Sequence, residues 1–385
     1  MEKYDFDTVV PRRGTNSYKW DTPEQEGVLP MWVADMDFRA APCIVEALQR
    51  RVSHGVFGYT RVPAAYYDAV TDWFARRHGW RIDPHWILYT TGVVPALSAV
   101  IKALTVPGDR VIVQTPAYNC FYSSIRNNGC ELLANRLRYE GGAYTIDFDD
   151  LETKASDPKA KLLLLCNPHN PVGRVWTREE LRRLGEICLR HGVRVVADEI
   201  HCELTYEGHD YTPFASLSDD FLHGSVTCNS PSKAFNLAGM QIANIVSADA
   251  DVRTGIDRAI NDNEVCDVNP FGVEALMAAY DREWLDRLRE YLADNYRMLC
   301  GFFAEYLPQY PVLPLEGTYL VWIDCRTTGV SSEQIAARLL AEAKLMISPG
   351  TIYGPGGEDF IRLNIACPGS LLEEGLLRLR KVLGR

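Results

Sequence analysis

Short apolar runs rich in leucine and β-branched residues recur through the middle of the chain. Each run is the length of a strand and lacks the alternation of a half-exposed one, so it is typical of a strand buried on both faces. The runs are RVIV (110–113), KLLLLC (161–166), RVVA (194–197), SVTC (225–228) and ANIV (243–246). They predict the strands of one central sheet.

A helical pattern, TREELRRLGEICLRHG, lies between the second and third runs. Thr177 and Glu180 form a capping box at its start, and Gly192 follows its end as a C-terminal cap. The apolar stripe along one face consists of Leu181, Leu184, Ile187 and Cys188. Strand, helix and strand in this order predict a βαβ unit, and therefore a mostly parallel sheet.

The C-terminal part has a different pattern. A long helix is predicted from about residue 284 to 307, the strand-like stretch GTYLVWID follows, and helix and strand then alternate to the end. We expect a second, smaller α/β domain here, completed by the N-terminal segment. The predicted division is residues 1–50 as a segment joining the small domain, 51–285 as the large domain and 286–385 as the small domain.

Composition narrows the function classes. The 385 residues are 47% hydrophobic and 24% charged, which is ordinary for a soluble globular protein. A net charge of -11 and a pI near 5.3 argue against nucleic acid as a partner, because phosphate binding needs a basic surface. No apolar run approaches the ~18 residues that a membrane span requires.

The N-terminus and the cysteines indicate a cytoplasmic protein. MEKYDFDTVVPRR lacks the apolar core of a signal peptide. The 11 cysteines are an odd number, none are in C-x-x-C spacing, and Cys166, Cys188 and Cys228 lie in apolar segments. We expect reduced, mostly buried thiols with no role beyond packing.

Polar residues follow five predicted strands, and open α/β sheets bind ligands beyond the carboxyl ends of their strands. In WILYTTGVVPAL, a strand leads through Thr-Thr-Gly into a helix start whose amides can face a phosphate. A lysine in a desolvated segment loses its proton easily and becomes a nucleophile or base. The residues after these strands are Gly92, Val93, Val94, Tyr118, Asn167, Asn170, Gly173, Asp198, His201, Ser230, Ser232 and Lys233.

Each of these features has an ordinary structural alternative. An Asp-Glu pair after a strand can cap a helix or lie in a surface turn, and Asn-Pro-x-Asn-Pro is a turn signal. Tyr118 can belong to the core, and a strand–TTG–helix junction occurs in many βα turns. Their joint occurrence and their order are what favour a ligand site.

That order resembles the fold-type I pyridoxal-phosphate enzymes of the class I and II aminotransferase superfamily, over nearly the whole chain. The branch it resembles most is that of the C–S β-lyases, which includes cystalysin and cystathionine β-lyase. The resemblance implies a large domain with a mostly parallel seven-stranded sheet and a smaller α/β domain. It rests on LPMWVADMDF, HGVFGYT, TTGVVPAL, NPHNPVGRVWT, DEIHCEL, SPSKAFNLAGMQ and IRLNIACP.

The resemblance also implies roles around the cofactor ring. Lys233 would bind the aldehyde covalently and later take the substrate's Cα proton. Asp198 would keep the ring nitrogen protonated, and Asn170 would donate to the ring O3′. His201 stands where many aminotransferases have a tyrosine, and it would touch O3′ or support a residue that does. Tyr118 would stack on the ring face.

Further roles concern the phosphate and the substrate. Gly92, Val93, Val94, Ser230 and Ser232 would hold the phosphate. Tyr59 resembles a tyrosine that reaches the cofactor of the neighbouring subunit, so the resemblance implies a homodimer with active sites at the subunit interface. Arg362 would grip the substrate α-carboxylate, with Asn170 and Tyr118 beside it. Many aminotransferases have an arginine eight positions after the lysine, where this chain has Gln241.

The function implied is cleavage of L-cystathionine or related S-substituted cysteines to a thiol, pyruvate and ammonia, in amino-acid metabolism such as methionine biosynthesis. Gln241 and His201 favour this lyase reaction over transamination. Two alternatives remain open: an aminotransferase using the same residues, and a regulatory protein that retains the fold. No metal is expected.

Overall fold

The computed structural model describes residues 4–262 and 267–384. The α-helices of these residues are α1 (Tyr18–Asp21), α2 (Pro42–His54), α3 (Ala64–His78), α4 (Val93–Leu104), α5 (Asn119–Asn127), α6 (Phe148–Ala155), α7 (Arg178–Arg190), α8 (Asp219–His223), α9 (Ala250–Asn261), α10 (Pro270–Ala279), α11 (Arg282–Tyr306), α12 (Ser332–Ala343) and α13 (Gly369–Leu383).

The strands alternate with these helices along much of the chain. They are β1 (Leu29–Pro30), β2 (Ile87–Thr90), β3 (Arg110–Thr115), β4 (Glu131–Arg136), β5 (Arg138–Glu140), β6 (Ala143–Thr145), β7 (Ala160–Cys166), β8 (Arg194–Asp198), β9 (Ser225–Asn229), β10 (Ala243–Val246), β11 (Leu320–Asp324), β12 (Leu345–Met346), β13 (Ser348–Pro349) and β14 (Phe360–Asn364).

Seven strands form the central sheet, in the order β2-β10-β9-β8-β7-β3-β4. Every neighbouring pair from β9 to β4 is parallel, whereas β10 runs antiparallel to both β9 and β2. The five apolar runs are therefore confirmed as strands of one mostly parallel sheet. The run ANIV is the one that enters the sheet in the opposite direction.

Both faces of this sheet are covered, which explains why its strands are apolar throughout. On β7, Leu162 and Leu164 pack into the cluster that contains the apolar side of α4. The intervening Leu163 and Leu165 pack with the side chains of α7 on the opposite face. Successive side chains of a strand point to opposite faces, so a strand covered on both sides must be apolar at every position.

Helix α7 begins and is buried as its sequence predicts. Thr177 Oγ1 accepts from the Glu180 amide at 3.2 Å, and a Glu180 carboxylate oxygen accepts from the Thr177 amide at 2.9 Å, so the capping box is confirmed. The predicted stripe is buried against the sheet. Gly192 follows the helix with a φ of +67°, a conformation in which a side chain is strained.

The C-terminal part builds a separate three-stranded antiparallel sheet, β11-β14-β13, against α11, α12 and α13. Strand β1 of the N-terminal segment pairs in parallel with β12, with Leu29 opposite Leu345. This pairing ties residues 29–38 to the C-terminal part. It also carries them toward the edge of the central sheet.

Two further expectations concern the whole described chain. No helix of residues 4–262 and 267–384 is both long and apolar enough to cross a membrane. The ten cysteines in those ranges are free thiols, and seven of them are buried. The remaining cysteine, Cys266, lies outside the described residues.

Candidate active site

The carboxyl ends of three neighbouring parallel strands bring the predicted polar residues together. Cys166 at the end of β7, Asp198 at the end of β8 and Cys228 near the end of β9 lie in register. The loops that follow these strands contain Asn170, His201 and Lys233. Strand β2 points the same way as β9, because β10 is antiparallel to both, so the start of α4 reaches the same edge.

Lys233 lies just beyond β9 with a partly buried side chain. Its Nζ donates to the carbonyl oxygen of Ala34 at 2.7 Å. Burial lowers the pKa of Lys233 to about 8, and the Arg362 charge acts in the same direction, while Asp35 and Asp198 oppose it. An amine with this pKa is in part neutral near physiological pH, which a nucleophile or general base requires.

Asp198 is a buried carboxyl at the last position of β8, with 4% of its surface exposed. The Ile200 amide donates to its Oδ1 at 3.1 Å. Burial raises the pKa of Asp198 to about 7, although this hydrogen bond and the Lys233 charge lower it in part. The carboxylate form is therefore costly until a cation approaches it.

Arg362 and Asn170 come from distant parts of the chain and meet in the crevice. Arg362 lies on β14, and its Nη1 donates to Asn170 Oδ1 at 3.0 Å. Its Nη2 donates to the Trp32 carbonyl at 2.7 Å, and the guanidinium carbon lies 4.8 Å from the centroid of the Tyr353 ring. Among the described residues, its buried Nε has no hydrogen-bond partner. The guanidinium is thus held in place through two of its five N–H groups.

His201 and Tyr118 also belong to this group. Burial lowers the pKa of His201 to about 3, and the charges of Lys233 and Arg362 lower it further, so the imidazole is neutral. Its Nδ1 has no hydrogen-bond partner within the described residues. Burial raises the pKa of Tyr118, Asp198 raises it further, and Arg362 opposes both. The phenol therefore stays protonated.

The start of α4 offers backbone donors at this edge. Gly92 precedes the helix, and no side chain caps it. The amides of Val93 and Val94 are among the N–H groups that a helix leaves without an internal partner, and they carry partial positive charge. An anion such as a phosphate group suits this position.

Ser230 and Ser232 flank the turn that leads to Lys233. The Ser230 hydroxyl donates to the Ile242 carbonyl at 2.6 Å and accepts from the Ser232 amide at 3.1 Å. Ser230 therefore shapes this turn through its own hydrogen bonds. Ser232 is partly exposed and can still donate its hydroxyl to a ligand.

Tyr59 is placed elsewhere. It lies between α2 and α3 with 97% of its surface exposed, and Phe57 beside it is 55% exposed. A side chain so exposed does not line the buried crevice of its own chain. The structure thus brings together Asn170, Asp198, His201, Lys233, Tyr118 and Arg362, and leaves Tyr59 on the surface. Asn167 and Gly173 instead make structural contacts, with Trp176 and Thr212 and with residues 315–317 respectively.

Sequence reasoning missed the contribution of backbone carbonyls from residues 29–38. The Ala34 carbonyl accepts from Lys233 and also from the Tyr319 hydroxyl at 3.0 Å. The Trp32 carbonyl holds Arg362. The segment LPMWVADMDF supported the family resemblance. However, every residue has a backbone carbonyl, so the sequence cannot show which carbonyl accepts a hydrogen bond from a site residue.

The side chains and amides of this crevice match the chemical groups of one kind of ligand. A readily neutralised amine suits an aldehyde, and a buried carboxyl with a raised pKa suits a protonated ring nitrogen. The start of α4 suits a phosphate, and Arg362 suits a carboxylate, which it can bind through two N–H groups. These residues fit pyridoxal phosphate together with an α-amino acid.

The chain belongs to the aminotransferase class I and II family, whose model matches residues 27–379. It is 48% identical to the cystathionine beta-lyase PatB of Bacillus subtilis, over 98% of this chain and 99% of PatB. It is 34% identical to the protein MalY of Escherichia coli, over 98% of each chain.

A solved structure shows the same architecture. Cystalysin from Treponema denticola, which contains pyridoxal 5′-phosphate, superposes with a TM-score of 0.95 at 36% identity, covering 99% of this chain and 98% of cystalysin. The expected large, mostly parallel sheet with a smaller α/β part is thereby confirmed as the fold of this family.

The buried Asp198 should destabilise the cofactor-free protein at neutral pH. Its pKa is raised from 3.8 to about 7, so the unfolded state releases this proton first. Stability is then lost as pH rises from about 4 to 7. Three pKa units correspond to at most about 4 kcal/mol. We expect cofactor-free Asp198→Asn to unfold at a higher temperature than the wild type at pH 8, with a smaller difference at pH 5.

Thermal unfolding followed by circular dichroism at the two pH values measures this difference. As a control, Asp294→Asn replaces a carboxylate that is 61% exposed and should leave the pH dependence as in the wild type. An Asp198→Asn protein less stable than the wild type at pH 8 would contradict the assignment of Asp198 as an uncompensated buried carboxyl.

Proposed function

We propose that this protein is a pyridoxal-phosphate-dependent C–S β-lyase. It would convert L-cystathionine or a related S-substituted cysteine, together with one water molecule, into a thiol, pyruvate and ammonia. The observation that carries the proposal is the convergence of Lys233, Asp198 and the Arg362–Asn170 pair in one crevice. The relatives, among them a cystathionine beta-lyase that is 48% identical over nearly the whole chain, support it.

The residues of the strand ends would hold the cofactor. Lys233 would bind its aldehyde, and Asp198 would pair with its ring nitrogen, which relieves the cost of the buried carboxylate. Asn170 and His201 would lie on the O3′ side, and Tyr118 would cover one ring face. The phosphate would contact Gly92, Val93, Val94, Ser230 and Ser232. Bound pyridoxal phosphate supplies the electron sink that stabilises negative charge at the substrate Cα.

Proton transfer and substrate orientation would fall to two side chains of this chain. Arg362 would bind the α-carboxylate through two N–H groups, and Asn170 and the Trp32 carbonyl hold the guanidinium for that purpose. Lys233, whose pKa is already lowered to about 8, would take the Cα proton. A thiolate on Cβ is then a good leaving group, so the Cβ–S bond breaks.

Gln241 favours elimination over transamination. It occupies the position where many aminotransferases pair an arginine with the phosphate, and here its side chain is exposed with a backbone φ of +52°. The phosphate would depend on amides and hydroxyls in its place. His201 in place of a tyrosine points the same way.

A homodimer is part of the proposal. The exposed segment around Phe57 and Tyr59 would lie against a second copy, and Tyr59 would reach the phosphate in the partner's site. An aromatic pair this exposed is typical of an interface. A cytoplasmic location and a place in amino-acid metabolism, such as methionine biosynthesis, complete the proposal, and the free thiols support the first of these.

The domain division is also proposed. Residues 51–285 would form the cofactor-binding domain and 286–385 the small domain, which residues 1–50 would join. Pairing of β1 with β12 supports the last point. We propose neither a nucleic acid nor a membrane as a partner.

Replacing Lys233 with Ala should abolish turnover, because the chain loses both the group that binds the aldehyde and the base. Borohydride reduction of the cofactor-loaded wild type followed by peptide mapping should place the label on Lys233. The exposed-lysine variant Lys102→Ala is a matched control and should retain activity. A label on any other lysine would overturn the assignment.

The reaction should need no keto acid. With L-cystathionine alone we expect equal amounts of pyruvate, ammonia and free thiol, measured by a coupled dehydrogenase assay and a thiol reagent. The elimination needs only the Cα proton to leave and the Cβ–S bond to align with the orbitals that hold the charge. Turnover that begins only when 2-oxoglutarate is added, with no thiol released, would instead establish an aminotransferase.

Mixed dimers should test whether Tyr59 acts across the interface. A Lys233→Ala protein and a Tyr59→Phe protein, unfolded and refolded together at equal amounts, should recover about a quarter of wild-type activity, since half of the dimers then hold one intact site. Lys233→Ala refolded with the Lys233→Ala/Tyr59→Phe double variant is the control and should stay inactive. An active species of monomer mass in sedimentation would refute the dimeric site.

A further inference from the structure

A second cavity lies outside the crevice that holds Lys233. It has a volume of about 410 Å³ and opens between the end of α3 and the first half of α11. Its floor includes Cys202, Glu203 and Thr205, which lie within four positions after His201 along the chain. The residues proposed for the lyase reaction do not line it, and a volume of this size accommodates a small metabolite.

Arginines dominate the charge of this cavity. Arg76 and Arg77 come from the last turn of α3, and Arg282 and Arg289 come from α11. The acidic side chains in the lining are Glu203 and Asp210. This concentration of guanidinium groups stands out in a chain whose net charge is -11.

The negative charge of Glu203 is already partly balanced by its neighbours, so it neutralises the arginines only in part. Trp73 Nε1 donates to Glu203 Oε1 at 2.6 Å, and His78 Nε2 lies 2.7 Å from the same oxygen. Arg77 Nε is 3.4 Å from the other oxygen. Burial alone raises the pKa of Glu203, but these three neighbours lower it below its ordinary value. The carboxylate is therefore charged and already compensated at the floor.

Arg77 and Arg289 keep N–H groups for a ligand. Arg77 Nη2 donates to Asp286 at 2.8 Å, and Arg289 Nε donates to the Thr205 carbonyl at 2.7 Å. Asp286 is shared, because it also lies 3.6 Å from Arg289 Nη1 and 3.4 Å from Arg282 Nε. Burial and the nearby Arg77 charge lower the pKa of Arg289, against the opposing effect of Asp286 and Glu203. The three carboxylates of Glu203, Asp210 and Asp286 face the four guanidiniums of this cavity, which leaves one positive charge in excess.

A metal ion fits the same cavity less well. His78, Cys202 and Glu203 each offer a ligand atom, and these atoms lie within 4.8 Å of one another. However, Glu203 Oε1 already accepts from Trp73 Nε1, Arg77 Nε lies 3.4 Å from Oε2, and the guanidiniums of Arg77 and Arg289 repel a cation. Burial and Glu203 also raise the pKa of the Cys202 thiol, which opposes the thiolate that a metal needs.

We propose that this cavity binds a small polyanion, one bearing phosphate groups or several carboxylates, through Arg77 and Arg289 with Arg76 and Arg282 at the rim. The planar guanidinium fork matches the oxygens of both groups. The Trp73 ring, whose centroid lies 5.8 Å from the Arg77 guanidinium carbon, provides an apolar wall. The binding does not depend on the proposed reaction.

Isothermal titration calorimetry of the cofactor-loaded protein tests this proposal, because the bound cofactor then fills the phosphate site at α4. Pyrophosphate and citrate are titrated separately at constant ionic strength. We expect at least one of them to bind at one equivalent per chain. Stronger binding of pyrophosphate would identify a phosphorylated ligand, and stronger binding of citrate a polycarboxylate.

Arg289→Gln should weaken that binding by at least tenfold, because a charge-assisted hydrogen bond is lost, while its amide can still donate to the Thr205 carbonyl. Arg297→Gln, on the same helix with a 76% exposed side chain, should bind as the wild type does. Unfolding temperatures of both variants monitor the fold. Absence of saturable binding by either anion, or equal affinity in the two variants, would overturn the proposal. So would stoichiometric Zn²⁺ binding that His78→Gln abolishes.

Discussion

The parallel alignment of β7, β8 and β9 is the constraint on which the candidate active site depends. Parallel neighbours finish at one edge of the sheet, and Cys166, Asp198 and Cys228 lie level there. The strands satisfy their backbone groups in the ladder up to that edge, and the loops beyond it carry the polar side chains. The antiparallel direction of β10 keeps Lys233 at this edge. Because β10 starts where β9 ends, the chain between Lys233 and Ala243 stays at the same edge of the sheet.

Exclusion of water from the crevice sets the protonation of its groups. The same cause lowers the pKa of Lys233 to about 8, raises that of Asp198 to about 7 and lowers that of His201 to about 3. In each case burial disfavours the charged form. Burial of the Lys233 amine and the Asp198 carboxyl destabilises the ligand-free protein. A ligand that carries the complementary charge would offset this cost in free energy.

The residues of the candidate site are positioned by two different sheets. Arg362 comes from β14 of the small antiparallel sheet, whereas Asn170 and Lys233 follow strands of the central one. Residues 29–38 join them, because the carbonyls of Trp32 and Ala34 accept from Arg362 and Lys233. The same segment pairs through β1 with β12. A movement of the C-terminal part would therefore shift Arg362 and the hydrogen bond of Lys233 together.

The sequence by itself determined six of the seven strands of the central sheet, all but β4, together with the capped helix α7 and the family. Apolar runs, a capping box and strand-end polar residues are local features, and their physical causes act over a few residues. The same pattern drew attention to Lys233, Asp198 and Asn170, and the family resemblance added Arg362. The direction of β10 was not predicted, because an apolar strand has the same composition whichever way it runs.

Only the tertiary structure decided which distant groups meet. The hydrogen bond between Arg362 and Asn170 joins residues 192 positions apart, and the Ala34 carbonyl that accepts from Lys233 has no side-chain signature. The cavity between α3 and α11 likewise depends on how two helices pack, since Arg77 and Arg289 are ordinary surface residues in the sequence. Local propensity acts along the chain, whereas burial, shared charge and carbonyl contacts arise from packing, and for that reason the sequence pattern could not supply them.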